Sequence, residues 1–375
     1  MNTLMQASRQ WASRPSDERF TSLIALHDKV RRERDNSIQS VVSTRQIEVQ
    51  PNPNDPIKGI TVAGEHGTYD PTNWSFNQLA SLSGAPASYL RKLPAPIVAD
   101  AMNYGLHFNR DAEDVGILRT GVERSTADGH MIPTNELRAA TGPRYGRVWN
   151  EDIVSALTNK FGDGVTGDFR VPGEFGKEVP ITNENTTIYG SDRDIFVFLA
   201  DETNRMEVPN RRNGQAGSLA RGFFVWNSEV GSQSIGAAFF LFDYVCMNRI
   251  VWGVQEFKEI RLRHTVSAPD RWLEEISPVL MEYSNASAAP IEQTIADARQ
   301  KRVDDDLDAF LAKRFTKSES SAIKQAHIRE EGRPIETLWD ATVATTAHAK
   351  SIPHQDSRVV VERKGGAILD MVAVK

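Results

Sequence analysis

Leu219-Ala220-Arg221-Gly222-Phe223-Phe224-Val225-Trp226-Asn227 is followed, after a short turn-forming gap, by Ile235-Gly236-Ala237-Ala238-Phe239-Phe240-Leu241-Phe242. Both runs are rich in aromatic and aliphatic residues and short enough to be strands, with turn residues between them. Two further runs of the same character, residues 115–122 and 194–200, lie upstream. The helical pattern at residues 150–161, with Ile153, Val154 and Leu157 on one stripe, interrupts them. Together these predict a sheet packed by helices.

On the N-terminal side, Phe20, Leu23, Ile24 and Val30 recur at helical spacing behind the capping residue Ser16, predicting a helix over residues 16–36. Strands are expected at 46–50 and 57–62, with Pro51, Pro53 and Pro56 confined to the link between them. Residues 75–82 and 87–93, joined through Ser83-Gly84-Ala85-Pro86, have helix-turn-helix spacing. That pattern leaves two readings open, a major-groove reader and a packed corner of two helices. From residue 268 the chain reads as helix almost throughout, with Pro290, Gly332, Pro334 and Pro353 between the helical stretches. The expected class is therefore α+β: a central, mostly antiparallel sheet flanked by helices, with a helical C-terminal region. Its expected divisions are 1–110, 111–267 and 268–375, and self-association is one use for the last.

The chain has 375 residues, 39% hydrophobic content and a net charge of −6. Such a chain can bury a sizeable core, but it is not a uniformly basic polyanion binder, so an anion site must be local. A single cysteine, Cys246, rules out an intramolecular disulfide and is read as a small buried hydrophobe. There is no apolar stretch of signal-peptide or membrane-span length, and a reducing cytosol is the expected setting. No phosphate-binding glycine loop, His-Glu-x-x-His pair or Gly-x-Ser-x-Gly elbow occurs, and no cofactor is expected. The acids Asp304, Asp305 and Asp306 are read as a solvated helix start, favoured by the helix dipole.

The pattern that carries most weight is arginine beside aromatic and glycine residues. Arg144-Tyr145-Gly146-Arg147-Val148-Trp149 sets two guanidinium groups beside two aromatic rings, and Arg221 precedes Trp226 on an aromatic strand. Arg249 follows Asn248; Arg261 and Arg263 alternate on an expected strand, and His264 comes next. Arginines in such a pattern can track phosphates while flat rings stack on unpaired bases. The same residues also suit an ordinary core, with the arginines paired to Asp194, Glu229, Glu256 or Glu259.

The run Gly84-Ala85-Pro86-Ala87-Ser88-Tyr89-Leu90-Arg91-Lys92-Leu93-Pro94 resembles the phage/plasmid-like protein family of unknown function that carries the domain of unknown function numbered 932. The resemblance continues through residues 144–149, 225–232, 248–253 and 351–356. It implies a passenger of phages, prophages and plasmids, where recombination and replication accessory roles are common. The leading expectation is a single-stranded-DNA-binding or strand-annealing-like protein that assembles with itself. The alternatives are a non-enzymatic protein-interaction or assembly factor, such as a host-defence inhibitor or a structural subunit with a host protein as possible partner, and a metal-dependent nuclease using Glu229, Asp243 and His264.

Overall fold

The structure, a computed structural model, describes residues 14–64, 67–125, 131–173, 179–211, 214–244, 248–250, 259–303, 306–352 and 355–372. Arg19–Phe20 (β1) is extended and pairs with a later strand, so the first helix starts after it. Its cap is Ser22, whose hydroxyl accepts the Ala25 N–H at 3.1 Å, and the helix is Leu23–Asp35 (α1), burying Leu23, Leu26 and Val30. The helical spacing expected from residue 16 thus holds from residue 23 onward. Beyond Asn36 the chain becomes strand Ser37–Ser43 (β2), which the sequence pattern did not announce.

Glu48–Asn52 (β3) and Asp55–Gly64 (β4) form the expected hairpin, followed by Gly67–Pro71 (β5). Pro51 and Pro56 lie within the strands rather than between them. Pro51 is tolerated because β3 is the edge of its sheet, where a missing N–H costs no ladder bond.

Thr72 caps Asn73–Ser83 (α2), and Gly84, at φ 76°, closes it in the left-handed region that suits glycine. The next helix, Ala87–Leu90 (α3), is a single turn before Ala95–Tyr104 (α4). A one-turn helix does not present a groove-reading face, and Arg91 is occupied over the Phe76 ring and on the Asn73 carbonyl. The packed-corner reading describes this segment, with Leu79, Leu90 and Met102 in the core.

Asp114–Ser125 (β6) and Met131–Thr141 (β7) form a long antiparallel pair with a bulge at Leu118/Arg119. Among the described residues, six strands make the smaller sheet in the order β2-β6-β7-β5-β4-β3, with β5–β7 parallel and the other pairings antiparallel. Strand pairing therefore runs across residue 110, where a division was expected.

Asn150–Phe161 (α5) follows as predicted. The larger sheet is then built from Phe169–Arg170 (β8), Ile188–Gly190 (β9), Ile195–Asp201 (β10), Met206–Val208 (β11), Gly217–Asn227 (β12), Ile235–Asp243 (β13), Asn248–Ile250 (β14) and Ile260–Leu262 (β15). With β1 it runs β1-β9-β10-β12-β13-β14, while β8, β11 and β15 add to β10, β12 and β13. Strands β10, β12 and β13 are buried on both faces, which explains why their sequences are continuous apolar runs. Val197, Phe223, Val225 and Phe239 face α1 and α5, and Phe196, Phe198, Phe224 and Phe240 share the opposite face.

The C-terminal region is helical as expected. Ala268–Arg271 (α6) passes through a widened turn at Trp272–Ile276 into Ser277–Asn285 (α7). Ala289–Gln300 (α8), Leu307–Ala312 (α9), Lys317–Glu331 (α10), Leu338–Lys350 (α11) and Gln355–Leu369 (α12) follow. Asp306 caps α9, and Thr316 and Thr337 head capping boxes. Their core joins the larger sheet through Met206, Leu219, Leu241 and Ile250. Asp304, Asp305 and Cys246 lie outside the described residues. No helix among the described residues is long and apolar enough to cross a membrane.

Candidate nucleic-acid interface

After β7 the chain turns at residues 142–149 and enters α5, and this turn lies against the segment that leaves β15. The Gly146 N–H donates to the His264 carbonyl at 3.1 Å, and His264 Nδ1 lies 3.0 Å from the Gly146 carbonyl. Glycine is required there, since a Cβ on residue 146 would sit 1.7 Å from the Thr265 carbonyl oxygen. The Tyr145 and His264 rings stack with centroids 4.8 Å apart. The Tyr145 hydroxyl donates to the Ser228 carbonyl at 2.7 Å, which brings the 228–234 turn into the same junction.

The carbonyl acceptor makes Nδ1 the protonated nitrogen of His264. Burial pushes its pKa down to about 4, with the Arg147 charge acting in the same direction. At neutral pH this side chain therefore contributes a flat ring rather than a positive charge, and its Nε2 is buried without a hydrogen-bond partner. Burial likewise raises the Tyr145 hydroxyl above its usual range, so it remains a donor.

Arg147 is buried. Its Nε donates to the Glu229 carbonyl at 2.8 Å, another nitrogen donates to Gln39, and its guanidinium lies 5.6 Å from the Tyr145 ring and 5.9 Å from Trp149. Trp149 is half-buried, with Arg34 over it at 5.5 Å. Beneath them Glu229 receives the Asn150 N–H at 2.7 Å, at the positive start of α5, and pairs with the buried Arg138 at 3.1 Å. Burial raises the Glu229 carboxyl, while Arg138 and the Asn150 N–H pull it back down.

Arg144 and Arg263 stand on the two joined segments, both exposed. Neither side chain has a hydrogen bond or ion pair among the described residues. The junction thus combines two free guanidinium groups, a stacked pair of rings and the buried Arg147. It can offer point charges to an anion and a flat surface to a planar group.

The other arginines in the expected set lie elsewhere. Arg221 is buried and donates to Asp201 at 2.9 Å and to the Ala286 carbonyl at 2.5 Å, so it ties the sheet to the end of α7. Trp226 is fully buried in the aromatic face of the larger sheet. Arg261 bonds Glu259, and its guanidinium lies 5.9 Å from the Trp226 ring. Arg249 is on β14, but its side chain lies outside the described residues, as does Glu256.

Asp243 is bound by Arg211 at 2.9 Å, which also holds Glu331, whereas Glu229 and His264 are engaged at the loop junction. Each of the three carries its own set of partners. Sequence reasoning passed over Arg138, because it lies on β7, whose run Pro133-Thr134-Asn135-Glu136-Leu137-Arg138 lacks an apolar alternation.

Comparison with curated proteins and comparison with solved structures give no match. Of the stretches that carry the resemblance, 225–232 lies in the matched part of the chain, while 84–94 and 144–149 precede it. Residues 177–361 match the family model of a domain of unknown function (DUF932).

Proposed function

We propose that this protein binds single-stranded DNA as an accessory factor of mobile genetic elements, engaging the strand where the 142–149 turn meets the segment after β15. The observation that carries the reading is the exposure of Arg144 and Arg263, without a carboxylate partner among the described residues, on two segments locked together by the Gly146–His264 bonds. A charge carried on a fixed backbone meets a phosphate at the cost of its side-chain rotamers alone, with no loop to order. The partly buried Tyr145–His264 pair leaves a ring edge as a stacking surface beside it. Arg147, Trp149 and the Glu229–Arg138 pair support this surface from below, and Arg221 and Trp226 belong to the scaffold. Fluorescence anisotropy of a labelled oligonucleotide across a salt series tests the reading. Binding that weakens with salt supports it, and absence of binding at low salt removes it.

A second reading, a protein-assembly factor, is favoured by one observation. Ile97, Tyr104 and Phe108 are exposed on one side of α4 and the turn that follows it, Phe108 by 76%, with the Tyr104 and Phe108 rings 6.1 Å apart. Three large apolar side chains in succession on one surface are the kind of patch that partners cover. Light scattering on the wild type and on a Tyr104→Ser/Phe108→Ser variant decides whether that patch joins copies of this chain.

A further inference from the structure

Arg119 differs from the other buried arginines. Arg14, Arg138, Arg211 and Arg221 each have a carboxylate within 3.1 Å, and Arg147 lies in the field of Glu229. Arg119 is only 7% exposed, yet its partners are the neutral Tyr69 hydroxyl at 3.2 Å and the Ser40 hydroxyl at 2.9 Å. Its Nε has no hydrogen-bond partner, and no carboxylate among the described residues pairs with it. The Tyr69 ring, 5.0 Å from its guanidinium, offsets part of the cost of burying the charge. A buried cation is ordinarily paired, so the remaining valence calls for an anion from outside the chain.

Arg119 lines a cleft of about 1090 Å³ between α1, the β6–β7 pair and the turn after β9. Thr120, Asn135 and Ser191 supply uncharged polar groups to it. Six acids also line it: Asp17, Glu18, Glu33, Glu123, Glu136 and Asp192. Three of these are already engaged, Glu18 by Arg14, Glu33 by Lys29 and Arg138, and Glu136 by a partner of its own, which leaves Asp17, Glu123 and Asp192 beside the further cation Arg32. The acidic remainder disfavours a polyanion such as a nucleic acid, which would meet like charge along its length. It suits a molecule with one anionic group and a cationic one at a distance.

The geometry points to a binding site for a small zwitterion in this cleft, its carboxylate received by Arg119 and its ammonium group by the acidic wall. The planar fork of an arginine matches a carboxylate, and the two terminal nitrogens of Arg119 are held only by hydroxyls that an anion can outcompete. This site is separate from the Arg144–Arg263 surface and does not depend on it.

Isothermal titration of the full chain with L-lysine, with acetate and with pentylamine separates the contributions. The expected result is saturable L-lysine binding, at least about tenfold tighter than either fragment, and weakened by about tenfold or more in Arg119→Met. Arg119→Lys keeps the charge in place without the fork and is expected to weaken L-lysine binding as well, which keeps the test available if Arg119→Met does not fold. Both variants leave oligonucleotide binding unchanged, so failure here is distinct from failure at the other surface. Absence of saturable L-lysine binding, pentylamine binding as tightly as L-lysine, or an unaltered affinity in the folded Arg119 variants overturns the proposal.

Discussion

Gly146 and His264 bind each other twice, through the Gly146 N–H to the His264 carbonyl and through His264 Nδ1 to the Gly146 carbonyl, at 3.1 and 3.0 Å. Two segments that are more than a hundred residues apart in the chain are thereby fixed at one point, which sets the relative positions of the Arg144 and Arg263 backbones.

Gly146→Ala should break the lock. Its Cβ would meet the Thr265 carbonyl oxygen at 1.7 Å, a contact with backbone that no rotamer relieves. The expected cost is about 3 kcal/mol, from forced backbone movement. Urea denaturation of the purified variant measures it, and a loss below about 0.5 kcal/mol would mean that the two segments separate without penalty.

His264 should make stability depend on pH. Its folded-state pKa of about 4 lies below the value of about 6.5 for an unfolded histidine, so between these values the unfolded chain binds the extra proton. The contribution is complete above about pH 6.5 and is lost as pH falls toward 4, amounting to about 2 kcal/mol for this partly exposed group. His327, also lowered chiefly by burial, adds a slope of the same sign. Denaturation midpoints at pH 7.5 and pH 5 should therefore fall less in His264→Asn than in the wild type; equal falls would place the proton elsewhere.

The Arg221–Asp201 pair gives a prediction about the scaffold. Arg221→Met alone leaves the Asp201 carboxyl fully buried without its cation, and should cost about 3 to 5 kcal/mol. Arg221→Met combined with Asp201→Leu should recover most of that loss. Thermal unfolding of the two variants reads the difference, and a double variant no better than the single one would show that the hydrogen bonds of Arg221 to the Tyr283 and Ala286 carbonyls matter more than the ion pair.

The fold was legible where burial is simple. Strands β10, β12 and β13 have core on both faces, so their apolar runs could be read directly, and α5 showed its stripe over its whole length. Strand β7 was hidden because its polar residues do structural work: Arg138 meets Glu229 across the junction, and Glu136 lines the cleft. Strand β2 was not announced because Ser37-Ile38-Gln39-Ser40 carries no strong alternation, and its pairing with β6 is a long-range contact that local pattern does not encode. At the candidate site the Arg-Tyr-Gly-Arg cluster and the Arg-Leu-Arg-His cluster were visible as types. Which arginines face outward depended on the positions of Asp201 and Glu229, and no local rule gives those.

The central claim is that Arg144 and Arg263 hold a single-stranded phosphate backbone. Its most direct test compares the salt dependence of oligonucleotide binding by the wild type and by Arg144→Ala/Arg263→Ala, two exposed positions whose loss should leave the fold intact. Each phosphate contact contributes a log–log slope of about −0.7 on single strands, so the double variant should bind more weakly with a slope shallower by about 1.4. Identical slopes, or no binding by the wild type at low salt, would contradict the account.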